Sequence, residues 1–166
     1  MNKQFSFQDK RHLEAAEGWL GLGDHEEANE ELECITAKMR AHPEVLRVRY
    51  EVYAKAKKWG MAAEIAQAIC QIVPHVPLGW IHLAYALHEL KRTKEAWDVL
   101  LPAIAKFPEE YIIRYNLACY ASQLGNQKDA FELVEKAIEM AGTKEMKLMA
   151  LDDPDLEPLW AQISEI

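Results

Sequence analysis

The sequence predicts an all-α protein of about four antiparallel helix pairs followed by a C-terminal capping helix. Apolar residues recur along most of the chain at i, i+3, i+4 and i+7, the spacing of one helix face. Small residues recur every 34 positions, and one register contains Ala28, Ala62, Ala96 and Ala130. An alanine at such a point lets two helices approach to roughly 8–10 Å. The chain has only 7 Gly and 7 Pro in 166 residues, which argues against a loop-rich β fold.

The same period of 34 residues appears in further registers. The second small register contains Ala16, Tyr50, Ala84 and Ala118. The register of turn residues contains Gly23, Lys57, Lys91 and Gly125. The register that ends each unit contains Arg40, Pro74, Pro108 and Gly142. Because proline and glycine commonly end helices, these registers predict repeating units of two helices each.

Each unit can be read as a helix, a turn and a second helix. The first lies within "AAEGWLGLGDHEEANEELECI" (15–35) and the second within "YEVYAKAKKWGMAAEIAQAICQIVP" (50–74). The third, "WIHLAYALHELKRTKEAWDVLLPAIAKFP" (80–108), shows the pattern most clearly, and "YNLACYASQLGNQKDAFELVEKAIEMAG" (115–142) supplies the fourth. In the third unit, "KRT" separates an apolar stripe that ends at Leu90 from one that begins at Ala96.

Four residues depart from the repeating pattern. Tyr50 fills a small-residue slot, so we expect the second pair to be splayed or locally repacked. Arg49 and Arg114 fill slots that are usually apolar. Pro102 falls inside a second helix, where the lost backbone bond would cost ~3 kcal/mol unless the helix kinks.

The period fails after residue 142, where "KEMKLMA" predicts a short helix and "LDDPDLEPLWAQISEI" follows. An apolar stripe from Leu156 to Ile166 predicts a last helix, and Asp153 with Pro154, or Asp155 alone, suits its start. A repeat array needs such a cap to cover the apolar side of its last unit. Docking of a partner by this helix is the alternative explanation.

These residues resemble the tetratricopeptide repeat, whose 34-residue pattern has Trp, Leu-Ala or Leu-Gly, Ala and Pro in this order. The resemblance implies a right-handed α-solenoid in a single domain, 1–166. Its repeats would span approximately 9–42, 43–76, 77–110 and 111–142, with a cap over 143–166. It also implies that the first helix of each pair lines a concave face, where extended peptides or partner helices bind.

Motifs of catalysis and metal binding are missing from the sequence. It contains no GxxxxGK[ST], GxGxxG, GxSxG or HExxH motif. His82 and His88 are six positions apart, so they cannot chelate a metal from one helix face. "DDPD" lacks the glycine and distal glutamate of a calcium loop. Cys119 has no recognisable base beside it, and Cys34 and Cys70 fall on positions predicted to be buried. We therefore expect no enzyme activity, cofactor or metal.

Charge and cysteine content limit the partners and the compartment. The net charge of −8 disfavours nucleic-acid binding, which usually needs a basic face. No signal-peptide core and no apolar run of ~20 residues occurs, so we expect no membrane association. Three cysteines without metal-ligand spacing fit a reducing compartment, so a cytoplasmic location is expected.

The candidate binding surface lies on the side of the first helices that faces away from each pair's own core. Exposed apolar clusters often mark contact sites, and Tyr makes a good anchor. The candidate residues are Arg47, Glu51, Lys55, Ile81, His82, Tyr85, His88, Tyr115, Asn116, Cys119 and Ser122. Packing between neighbouring first helices is the alternative role for Tyr85 and Tyr115.

The sequence therefore favours a non-enzymatic adaptor that binds a peptide segment or a partner helix. The alternative is a self-associating scaffold subunit of a larger assembly, which would make the protein a homo-oligomer. A chaperone C-terminal tail is not the expected partner, because members of the family that grip such tails use Lys, Asn and Arg at defined slots. Here those slots in units one to three hold Leu13, Glu17, Val48, Leu78 and His82.

Overall fold

The computed structural model describes residues 4–166, and every regular element in this range is helical. The first two pairs are α1 (Phe7–Gly21) with α2 (His25–Cys34) and α3 (Pro43–Lys55) with α4 (Trp59–Ile72). Next come α5 (Pro77–Glu89), α6 (Thr93–Leu100), α7 (Ala103–Lys106), α8 (Tyr111–Gln123) and α9 (Gln127–Ala141). The chain ends with α10 (Lys144–Asp152) and α11 (Trp160–Ser164). Short 3₁₀ segments occupy Ala37–Met39 and Pro154–Leu159.

The described chain forms two compact units, which divide between Ala86 and Leu87, within α5. In unit 1, α1 packs on α2 and α3 packs on α4, while α3 also contacts α1 and α2. In unit 2, α8 packs on α9, and the 3₁₀ segment Pro154–Leu159 packs on α8. The expectation that 1–166 forms one domain stays a prediction.

The registers of the sequence have direct structural counterparts. Ala28, Ala62, Ala96 and Ala130 each have no exposed surface, as the close-contact argument requires. The turn register adopts positive φ at all four of its positions, namely Gly23, Lys57, Lys91 and Gly125. Left-handed backbone is routine for glycine but costs a lysine roughly 1–2 kcal/mol. Backbone geometry, rather than side-chain chemistry, therefore explains this register.

The departures from the pattern are accommodated locally. Tyr50 is buried, stacks on the His82 ring at 3.9 Å between centroids, and donates a hydrogen bond to the His82 carbonyl. Arg49 is buried beside Glu33, with 2.6 Å between the guanidinium Nη1 and a carboxylate oxygen. Pro102 separates α6 from α7, so the second helix of the third pair is interrupted there. Cys34, predicted to be buried, is exposed because it is the last residue of α2.

The C-terminal segment closes unit 2. Leu156, Leu159 and Ile163 are buried, as the apolar stripe predicts, but Ile166 at its end is 44% exposed. The stripe also forms a 3₁₀ segment followed by α11 rather than one continuous helix. The Asp153 side chain accepts a hydrogen bond from the backbone N–H of Asp155, which begins the 3₁₀ segment at the predicted Asp-Pro position. This segment therefore covers part of α8 that would otherwise face solvent.

Candidate functional site

A groove in unit 1 brings together four of the predicted surface residues. It encloses a volume of about 530 Å³. Its lining residues are Glu17, Leu20, Gly21, Arg47, Glu51, Ala54, Lys55, Trp59 and Tyr85. They come from α1, α3, the first turn of α4, and the part of α5 that belongs to unit 1. We call this feature the groove.

Four of the residues that line the groove are charged. Arg47 donates hydrogen bonds to Glu51, at 2.7 Å, and to Glu17. Burial alone would lower the pKa of Arg47, but the two carboxylates outweigh it and raise that pKa. Within residues 4–166, the exposed ammonium group of Lys55 lies in no ion pair. The two acidic groups of the groove are therefore both engaged by Arg47, which leaves Lys55 as a cation open to a ligand.

The groove also contains an aromatic pair. The rings of Trp59 and Tyr85 meet edge to face, with 5.6 Å between centroids and 78° between planes. Tyr85 is 41% exposed although it is a large apolar ring. Leu20 and Ala54 also line the groove. Aromatic and aliphatic surface of this kind can take up an apolar side chain of a ligand.

Five other predicted site residues lie in unit 2, and the chain itself covers or engages four of them. The Tyr115 hydroxyl donates to Asp153 at 2.7 Å, and the Cys119 thiol lies 3.5 Å from the same carboxylate oxygen. His88 is buried and its Nε2 lies 2.8 Å from Asp155. Ser122 is also buried. Tyr115 is only 6% exposed and is not an open anchor, because the segment after α10 lies over it.

Cys119, Asp153 and Asp155 place three potential metal-ligand atoms within 4.8 Å of one another. Burial, followed by the charge of Asp153, raises the pKa of the Cys119 thiol above its ordinary value, which disfavours the thiolate that a metal requires. Burial and the hydrogen bond to Asp153 likewise raise the pKa of Tyr115. Both aspartates are already engaged within the chain, Asp153 by hydrogen bonds from α8 and Asp155 by His88. This cluster holds the C-terminal segment in place.

The remaining predicted residues lie outside the groove. His82 stacks on Tyr50, and its Nδ1 is buried with no hydrogen-bond partner in the described part of the chain. Burial, followed by the charge of Arg47, lowers the pKa of His82 to about 4, so the ring is neutral near pH 7. Ile81 and Asn116 are half-buried. We therefore place His82 in the packing of unit 1 rather than on its ligand-facing surface.

The sequence reasoning missed five groove residues: Glu17, Leu20, Gly21, Ala54 and Trp59. A signal for one of them was present. Glu17, Glu51 and Tyr85 follow one another at the period of 34 residues, so extending the register backwards from Glu51 would have identified Glu17. Trp59 lies at the start of a second helix, whereas the candidate residues were chosen from first helices only.

Comparisons with known proteins agree with this architecture. No protein-family profile matches the chain. The chain is similar to the TPR repeat-containing protein YpiA of Bacillus subtilis (strain 168), with 28% identity over 133 residues. The match covers 80% of this chain but only 31% of YpiA, so the chain spans about a third of this relative's length.

Solved structures decide the fold. TTC0263, a thermophilic TPR protein of Thermus thermophilus, matches with a TM-score of 0.76 and 17% identity over 93% of this chain and 82% of its own. This chain has the tetratricopeptide-repeat fold. MamA of Desulfovibrio magneticus RS-1, from residue 41 to its end, matches this chain with a TM-score of 0.74 and 17% identity. That match covers 98% of this chain and 96% of MamA, and at such identity it concerns the fold alone.

Among the described helices, none has the length and apolar character needed to cross a membrane.

Proposed function

We propose that this tetratricopeptide-repeat chain is a non-enzymatic protein-interaction module, with the groove of unit 1 as its contact surface. The observation that carries the proposal is the exposure of Tyr85 beside Trp59 in a groove of about 530 Å³. Exposed aromatic surface is costly to leave in water and is enriched among residues that dominate binding energy. Adaptor or scaffold work is also consistent with the repeat proteins that the chain resembles.

The non-enzymatic part of the proposal is supported by the state of the buried nucleophile. Cys119 donates its thiol proton towards Asp153 and has a raised pKa, so it is a poor nucleophile. A cytoplasmic location belongs to the same proposal and is supported by the cysteine content. The net charge of −8 favours protein partners over nucleic acid.

Affinity capture from a lysate of the source cells tests the proposal. The intact chain runs beside Tyr85→Ala, which removes the exposed ring from the groove. Phe7→Ala is the matched control, because Phe7 is 79% exposed and does not line the groove. We expect a protein that is enriched by the intact chain and by Phe7→Ala but lost with Tyr85→Ala. Equal capture by all three folded chains would refute the groove as the contact surface.

Self-association as a scaffold subunit is the second candidate, and the surface of α10 favours it. Leu148 is 64% exposed and Met149 is 43% exposed, so adjacent apolar side chains of α10 face solvent. Light scattering over a concentration series separates the candidates. A mass that rises with concentration in the intact chain, but not in Leu148→Glu, would favour the scaffold. A monomer at every concentration would eliminate it.

A further inference from the structure

The groove of unit 1 has a counterpart in unit 2 at equivalent positions of the repeat. Two periods of 34 residues separate Arg47, Glu51, Ala54 and Lys55 of α3 from the corresponding residues of α8. Those corresponding residues are Tyr115, Cys119, Ser122 and Gln123. Leu20 corresponds in the same way to His88. Five of the nine residues that line the groove therefore have equivalents on one face of unit 2.

In unit 2 this face is occupied by a segment of the chain itself, and the contacts show what chemistry such a face holds. Tyr115 and Cys119 donate towards the carboxylate of Asp153, and His88 contacts the carboxylate of Asp155. Gln123 donates to the Asp155 backbone carbonyl at 3.2 Å.

Apolar side chains of the same segment are buried beside these polar contacts. Leu156 and Leu159 follow the two aspartates and have 0% and 1% exposure. The occupant of the face is thus an acidic 3₁₀ turn, begun by Asp153, in which Leu156 directly follows Asp155.

The open groove of unit 1 offers the same two kinds of contact with different residues. Lys55 stands where Gln123 binds the segment in unit 2, and it supplies a positive charge in place of an amide. Because Arg47 already binds both glutamates of the groove, the carboxylate of a ligand would meet Lys55 as its partner. Trp59 and Tyr85 supply the apolar contact that a leucine side chain needs.

We propose that the groove binds a segment of a partner protein in which one or two carboxylates precede a leucine, the chemistry of this chain's own Asp-Pro-Asp-Leu turn. The inference rests on the proposed function and specifies its ligand class. A second copy of this chain is not the occupant, because its matching segment is already bound in its own unit 2. Releasing that segment would expose the buried Leu156, Leu159 and Ile163.

A peptide titration tests the ligand class. The probe is the acetylated and amidated peptide LDDPDLEPLW, the sequence of residues 151–160, with a fluorophore at its N-terminus. We expect saturable binding of the peptide to the intact chain, measured by the rise in fluorescence anisotropy. Replacing the three aspartates of the peptide by asparagine should weaken binding by at least about tenfold, because charge-assisted hydrogen bonds are lost. Equal affinity of the two peptides would overturn the assigned carboxylate chemistry.

Variants of the chain locate the bound peptide. Lys55→Glu should weaken binding by at least about tenfold. Lys58→Glu is the control and should not weaken it, because Lys58 is exposed in the connection between α3 and α4 but does not line the groove. Binding that is lost with Tyr115→Phe but kept with Lys55→Glu would place the peptide in unit 2 and contradict the proposal. A dimer that dissociates with Lys55→Glu would identify a second copy as the occupant, which also contradicts it.

The two levels of the proposal fail in distinguishable ways. If neither peptide binds, yet Tyr85→Ala still loses a captured partner, the ligand class is wrong and the interaction function stands. If no partner depends on Tyr85 and the peptide does not bind, both are wrong.

Discussion

Acidification should destabilise the protein through His82. The pKa of this ring falls from an ordinary 6.5 to about 4 on folding, because the side chain is buried against Tyr50 and near Arg47. Between these two pH values the unfolded chain binds a proton that the folded chain does not. Stability therefore falls as pH drops below 6.5, and the loss is complete near pH 4. A shift from 6.5 to about 4 corresponds to roughly 3 kcal/mol of unfolding free energy.

The assay is urea unfolding followed by circular dichroism at a series of pH values between 7 and 4. His82→Gln should reduce the number of protons taken up on unfolding between pH 6.5 and 4 by close to one. His75→Gln serves as an exposed control. Nuclear magnetic resonance titration of the His82 ring gives the pKa directly. A titration midpoint near 6.5 in the folded chain, or an unchanged pH dependence in His82→Gln, would refute the reasoning.

Three further predictions concern packing, backbone and reactivity. Ala62→Leu should lower the unfolding free energy by roughly 1–3 kcal/mol, because Ala62 has no exposed surface, whereas exposed Ala161→Leu should change it little in the same urea assay. Lys91→Gly should raise the melting temperature, since glycine relieves roughly 1 kcal/mol of strain at φ 63°; a fall would show that the lysine side chain matters there. A thiol reagent should modify exposed Cys34 at once and buried Cys119 only after denaturant is added; rapid reaction of both would contradict the burial of Cys119.

The repeat architecture could be predicted because it depends on steric requirements that recur at a fixed period. A close helix crossing requires a small residue, so Ala28, Ala62 and their equivalents were visible in the sequence. Pro102 was correctly identified as a point of interruption, since proline cannot donate in a helix. The repacking around Tyr50 was anticipated only in outline. Its stacking partner, His82, lies 32 residues away and no local pattern indicates it.

The candidate site was predictable only in part because burial depends on what the C-terminal segment covers. Tyr115 and Tyr85 occupy similar faces of first helices in the sequence, yet one is 6% exposed and the other 41% exposed. The difference comes from Asp153 and its neighbours, which fold back onto α8. Helical periodicity does not encode such a long-range contact. The assignment of Lys55 to the groove, by contrast, followed from its face on α3 alone.

Photo-crosslinking from position 85 in living cells tests the central claim most directly. Tyr85 is replaced by the photoreactive residue p-benzoylphenylalanine, which keeps the phenyl ring and carries a benzoyl group in place of the hydroxyl. Phe7 is replaced in the same way as an exposed control outside the groove. We predict a covalent adduct with a partner protein from position 85 and none from position 7. Adducts from position 7 alone, or only with further copies of the chain, would contradict the groove as the protein's contact surface.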